Sequence, residues 1–189
     1  SIYGANIPLS CFGIVMKVNQ IVLSLVIGIA SGNQPIVGYN FGAKKYHRVR
    51  HAYRLAVTTA SIFTVTGFFL FQFFPQSIIQ LFGQENALYN EFAVKCFRQV
   101  LFCVFVLGFQ IVTSSFFQAI GKPSRAVLLA LSRQVLFLIP LLLLLPLAWG
   151  LNGALFAMPI ADGASALLAA FFIHKELKRL RRMEQVAGV

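Results

Sequence analysis

Ala126-Val-Leu-Leu-Ala-Leu-Ser-Arg-Gln-Val-Leu-Phe-Leu-Ile-Pro-Leu-Leu-Leu-Leu-Leu-Pro-Leu147 is the stretch that decides the fold. It exceeds strand length and lacks period-2 alternation, whereas as a helix it is long enough to cross the roughly 30 Å of a bilayer's hydrocarbon core. Four further runs of this kind occupy residues 10–31, 52–74, 92–118 and 149–173. The turn-like Pro146-Leu-Ala-Trp-Gly150-Leu-Asn-Gly153 joins 126–147 to 149–173 as a tight helical hairpin. The chain therefore reads as an all-α, polytopic membrane helix bundle of about five transmembrane helices, with a transmembrane lobe over residues 1–183 and a basic cytoplasmic tail over residues 174–189.

Composition agrees. Of 189 residues, 58% are apolar and 11% charged, and the mean hydropathy is +0.79, against roughly 25% charged in a soluble domain. A water-soluble globule of this size has too little interior to hide that much apolar surface. The net charge of +11 would point to nucleic acid in a soluble protein; here it points to membrane loops, so the expected partner is the lipid bilayer and no nucleic acid. Cys11, Cys96 and Cys103 lie in apolar runs without paired spacing, and imply neither a disulfide framework nor a metal site. The first residue is Ser1 and no signal segment follows it, so the chain reads as a fragment.

Charge between the spans gives an orientation. Lys44, Lys45, Arg48, Arg50 and Arg54 follow the first span, Lys122, Arg125 and Arg133 the third, and Lys175, Lys178, Arg179, Arg181 and Arg182 the fifth. With five spans these thirteen fall on one side, against Lys95 and Arg98 on the other. The positive-inside rule then places the C-terminus in the cytoplasm and Ser1 outside, in a multi-pass protein of the plasma (inner) membrane.

On the first span Ser10, Gly13, Lys17, Gln20, Ser24, Gly28 and Ser31 form one stripe at steps of three or four. Such a stripe packs on other helices or lines a wet cavity; Lys17, Gln20 and Ser24 are its candidate cavity-lining residues. Gln99 and Gln110, with Cys103 and Thr113, repeat the theme on the third span. On the last, Ala157, Ala161, Ser165 and Ala169 form a small-residue packing ridge. Asp162 sits about mid-span, where an ionised carboxylate costs at least about 2.5 kcal/mol and must be protonated, paired or hydrated. It is the candidate for proton or cation coupling, against the alternative of a local hydrogen bond; Lys17 is a conceivable but poorly placed partner. Pro140, Pro146 and Pro159 kink the last two spans. His47 and His51 are four apart but lack an acidic or Cys partner for a metal. No catalytic constellation and no phosphate-binding Gly-Lys-Ser/Thr loop is present, so neither an enzyme nor an ATP-driven pump is expected, and no resident cofactor.

Three segments in order carry a resemblance: Ser31-Gly-Asn-Gln-Pro-Ile-Val-Gly-Tyr-Asn-Phe-Gly-Ala43, Phe116-Phe-Gln-Ala-Ile-Gly-Lys-Pro-Ser124 and Gly150-Leu-Asn-Gly-Ala-Leu-Phe-Ala-Met-Pro-Ile-Ala-Asp162. Together they resemble the multidrug and toxic compound extrusion (MATE) family, with Gln34, Pro35, Gly38, Asn40, Gly42, Gly121 and Pro159 as the matching motif positions. The resemblance implies one half of a two-lobed, twelve-helix transporter, the C-terminal lobe with helices eight to twelve, lacking the N-terminal lobe and one further upstream helix. It implies a secondary antiporter that exports small amphiphilic or cationic substrates in exchange for H+ or Na+ by alternating access, inactive as an isolated piece. The acidic ligands that some members carry on the third of these helices are absent from residues 93–118. Two alternatives stand beside this reading: a flippase for lipid-linked saccharides or other amphiphiles, and a non-transporting membrane scaffold.

Overall fold

A computed structural model of the chain describes residues 6–80 and 87–186. All the regular structure in them is helical: α1 (Asn6–Gly42), α2 (Tyr46–Phe73), α3 (Pro75–Gln80), α4 (Ala87–Val100), α5 (Val104–Ala119), α6 (Pro123–Leu131), a π-helical segment (Ser132–Leu138) and α7 (Ile139–Val186), which is broken at Gly150. Four stretches are long and apolar enough to cross a membrane, Cys11–Gly42, Tyr46–Phe73, Pro123–Leu147 and Leu155–Val186. A fifth forms if α4 and α5, bent by 42° at residues 101–103, count as one broken span.

Several boundaries differ from those read in the sequence. The first helix does not end near residue 31 but runs on to Gly42. Glycine, asparagine and proline made that stretch look like a loop, yet it carries no charge before Lys44, and in a bilayer the backbone gains more from internal hydrogen bonds than local propensity costs it. The basic segment after it is correspondingly short: only residues 43–45 turn, Lys44 taking φ 56°, before α2 starts with Tyr46 and Val49 already buried. The fourth span begins at Pro123, a first-turn position where proline's missing N–H costs nothing. The basic stretch expected as a tail from residue 174 is the continuing second arm of α7, helical to Val186.

Packing follows from which stripes are apolar. Val15, Val22, Val26, Ala30 and Val37 of α1 are buried, and α1 packs against α2, α4 and α5. α5 lies closest to α2, where a Cβ on Gly108 would stand 2.9 Å from the Ala60 carbonyl oxygen. Hydrogen bonds reinforce that seam: the Thr64 hydroxyl donates to the Phe105 carbonyl at 3.1 Å, and the Tyr53 and Thr113 hydroxyls share one at 2.9 Å. Inside a bilayer, where lipid is as apolar as leucine, such close approach and side-chain bonding are what hold helices together. The expected hairpin is present at Gly150, whose φ of 56° and ψ of −139° no L side chain adopts readily. Beyond it Gly153 passes so close to the Leu145 carbonyl that a Cβ would stand 2.2 Å from its oxygen. The span Pro123–Leu147 is the most peripheral of the four, and Leu142, Leu143, Leu144 and Leu147 are exposed on it.

Candidate functional site

Pro140 shapes the site from below. It has no N–H to give, and its ring crowds the carbonyl one turn earlier. The ladder just before it widens into a π turn over Ser132–Leu138, with the Ile139 N–H bonded to the Gln134 carbonyl. A π turn rotates the following side chains relative to an α-helix and recurs at functional positions. Here it carries Arg133 and Gln134, both of which line a cavity of about 470 Å³ between α1, α5, α6 and the second arm of α7.

Asp162 answers Arg133 from α7. The Arg133 Nε donates to the Asp162 Oδ1 at 2.6 Å, and the Asp162 residue is 6% exposed. Gln110 of α5 closes the arrangement: its Nε2 donates to the Asp162 backbone carbonyl at 2.9 Å and to the Ser165 hydroxyl, which itself donates to that carbonyl at 3.1 Å. Three elements thus meet around one carboxylate, and α7 runs about 18 Å from the Gly150 break to reach it at roughly 1.5 Å per residue. On the α1 side the cavity receives Ser31 and Gln34, and Gln34 donates to Gln118 of α5 at 3.3 Å.

The structure sorts the candidates read in the sequence. Gln110 and Gln34 line the cavity, and Asp162 and Arg133 form an ion pair beside it. Lys17, Gln20 and Ser24 do not line it; they are exposed on α1. Lys17 is no partner of Asp162 and makes no ion pair among the described residues. Gln99 belongs to a separate cleft of about 400 Å³ with Gln72, Cys103, Phe156 and Pro159, where its Oε1 is buried without a hydrogen-bond partner. Among the motif positions, Pro35 is exposed, Gly38 brings α1 to 3.4 Å from the Ala119 carbonyl as judged from a Cβ, and Asn40 bonds its own helix at Ile36. Gly121 takes φ 72° between α5 and α6, and Gly42 ends α1 in open space. The ridge of Ala157, Ala161, Ser165 and Ala169 is buried throughout.

Two groups escaped the sequence reading. Arg133 counted there as a connection charge, yet it lies inside the fourth span; its position within the apolar run 126–147 was the available signal. Glu176, 1% exposed, is the larger omission. It binds Lys122, Arg125 at 2.6 Å and Arg179 at 3.2 Å, tying the start of α6 to the end of α7. Its signal was the spacing Ala169, Ile173, Glu176, Leu180, which puts an acid on the buried stripe of the last helix. A second pair, Arg50 with Glu184, ties α7 to the start of α2.

Comparison with known proteins places this arrangement. The sequence pattern of the MatE family matches residues 2–144. The chain is 23% identical over 178 residues to the multidrug export protein MepA of Staphylococcus haemolyticus, covering 94% of this chain and 38% of that protein. To the FAD transporter of Shewanella oneidensis it is 25% identical over 154 residues, covering 81% of this chain and 34% of that one. A solved structure of the MATE multidrug transporter DinF-BH superposes with a TM-score of 0.81 at 36% identity, over 92% of this chain and 39% of the transporter. The chain therefore spans about two fifths of the length of the relatives it matches.

Proposed function

The chain belongs to the MatE family, and from that premise we propose that it is the C-terminal lobe of a secondary active antiporter, which exports organic cations or other amphiphilic xenobiotics in exchange for H+ or Na+. The observation that carries this reading is the Arg133–Asp162 pair beside a cavity of mixed polar and aliphatic lining. A carboxylate taken out of water stays ionised only while a cation faces it. A proton or Na+ arriving at Asp162 competes with Arg133 and frees the guanidinium, so the π segment and α7 have two arrangements that differ by one bound cation. Alternating access needs such an element, because a coupling ion moves an equilibrium only by its differential affinity for the two states. Gln110 acts as positioning residue, since its Nε2 donates to the backbone carbonyl of Asp162.

The cargo class follows from charge. Arg133 is the cation of the cavity, and Asp162 neutralises it. The remaining lining is glutamine, serine and aliphatic, which suits neutral or cationic amphiphiles better than an anionic lipid-linked saccharide. On the positive-inside count the C-terminus lies on the cytoplasmic side of the plasma (inner) membrane, and the N-terminal lobe with one further helix completes the cavity. The test is gradient-driven efflux of a fluorescent organic cation from proteoliposomes holding the full-length protein. Asp162→Asn is expected to lower coupled efflux at least about tenfold with folding intact, the size of effect that follows from losing roughly 1.4 kcal/mol of differential ion binding. Unchanged efflux removes Asp162 from the mechanism, and translocation of a lipid-linked saccharide in place of the dye overturns the cargo assignment.

A further inference from the structure

Where α2 begins and α7 ends, basic side chains outnumber the acids that satisfy them. Arg50 and Arg54 lie one turn apart on α2, and His174, Lys178 and Arg181 lie at steps of four and three on α7. With Leu177 they line a cavity of about 400 Å³. Glu176 is taken by Lys122, Arg125 and Arg179, and Glu184 is taken by Arg50. Among the described residues, Arg54, Lys178 and Arg181 are left with no ion pair. Arg50 is left with a buried Nε that meets no acceptor, although its other end holds Glu184. A buried guanidinium N–H without an acceptor costs free energy.

We propose that this cavity binds the phosphate headgroup of an acidic phospholipid. A guanidinium fork flanked by further cations matches a phosphodiester in charge and geometry. What selects a lipid over a soluble anion is the surface one to two turns away. Leu167 and Phe171 of α7 are exposed on the same stripe as His174, two turns and one turn before it, which offers the acyl chains an apolar wall beside the basic cavity. Basic pockets between transmembrane helices at the cytoplasmic end are where acidic headgroups bind. A lipid seated there bridges α2 to α7 at the same end as the Arg50–Glu184 pair. The inference rests on the membrane-spanning architecture and not on the antiport reading, so either survives failure of the other.

Native mass spectrometry of the full-length protein in detergent tests it, titrating palmitoyl-oleoyl phosphatidylglycerol, phosphatidylcholine with the same chains, and inorganic phosphate. Phosphatidylglycerol is expected to be retained at least about tenfold more tightly than the other two, since several neighbouring cations attract an anionic lipid headgroup together. The triple variant Arg54→Gln, Lys178→Gln, Arg181→Gln should lose that preference. The charge-matched variant Lys44→Gln, Lys45→Gln, Arg48→Gln, which removes exposed cations outside the cavity, should change it less than about twofold. Lys178→Gln alone, at an exposed side chain, carries the test if the triple variant does not fold, and should weaken retention about threefold. Equal retention of phosphatidylcholine, equal loss in the charge-matched variant, or inorganic phosphate binding as tightly as the lipid would each overturn the proposal.

Discussion

Glu176 shows how much a single side chain can organise at the end of a bundle. It is almost fully buried and faces three cations from two elements, two of which, Arg125 and Arg179, keep much of their surface in solvent. Removing one partner of a fully buried pair costs about 3–5 kcal/mol. Here the stranded cations can turn outward, so Glu176→Gln is expected to cost about 2 kcal/mol and lower the thermal unfolding temperature of the full-length protein by several degrees. Glu184→Gln, which frees a single arginine at a more exposed site, should cost less than half as much. Asp162 was legible in the sequence because a lone acid inside an apolar run has no cheap explanation. Its partner was not, because charge counting assigns every arginine near a span end to the adjoining connection. Arg133 stands at the start of the π turn that precedes Pro140, and its Nε meets Asp162 of α7.

At the scale of elements, the helical type of the spans was legible and their ends were not. Hydrophobic run length marks a span well, but the stretch Ser31-Gly-Asn-Gln-Pro35 is helical despite residues that favour turns in water, and residues 174–186 are helical despite a density of charge typical of a solvated tail. In both cases the missing information is tertiary: Val37 packs into the core on one, Leu180 on the other. The α2–α5 seam offers the sharpest test of this packing. A methyl on Gly108 meets the Ala60 carbonyl at 2.9 Å and the Thr64 hydroxyl at 3.0 Å, and backbone cannot move aside as a flexible side chain can. Gly108→Ala is therefore expected to cost about 1–3 kcal/mol and to loosen the Thr64–Phe105 bond. Gly28→Ala, with open space around the same atom, should be neutral to mildly stabilising in the same melt.

For the whole molecule, the question is what covers α1. Its apolar stripe is inside the lobe, while Lys17, Gln20, Ser24, Gly28 and Ser31 are exposed, and from Ser31 and Gln34 the stripe leads into the cavity beside Asp162. On α2, by contrast, Leu55, Ile62 and Phe63 are exposed, an apolar surface fit for acyl chains. The exposed face of α1 mixes this polar stripe with Ile21, Leu25 and Ile27, whereas the one on α2 is apolar at these positions, so the two are not equally suited to lipid. If α1 lines a wet space between two lobes, a cysteine at Gln20 or Ser24 in the full-length protein reacts with a charged, membrane-impermeant thiol reagent, whereas one at Leu55 or Ile62 does not. Cys11 and Cys96 are buried and Cys103 is half-buried, so replacing Cys103 by serine removes the most accessible of these three thiols. The rate at Gln20→Cys should exceed that at Ile62→Cys by at least about tenfold, because thiolate formation and reagent entry both require water. It should also fall when a transported cation is added. Equal protection of Gln20 and Ile62 would mean that the stripe is a dry helix interface, and the polar surface of α1 would then serve assembly and not passage.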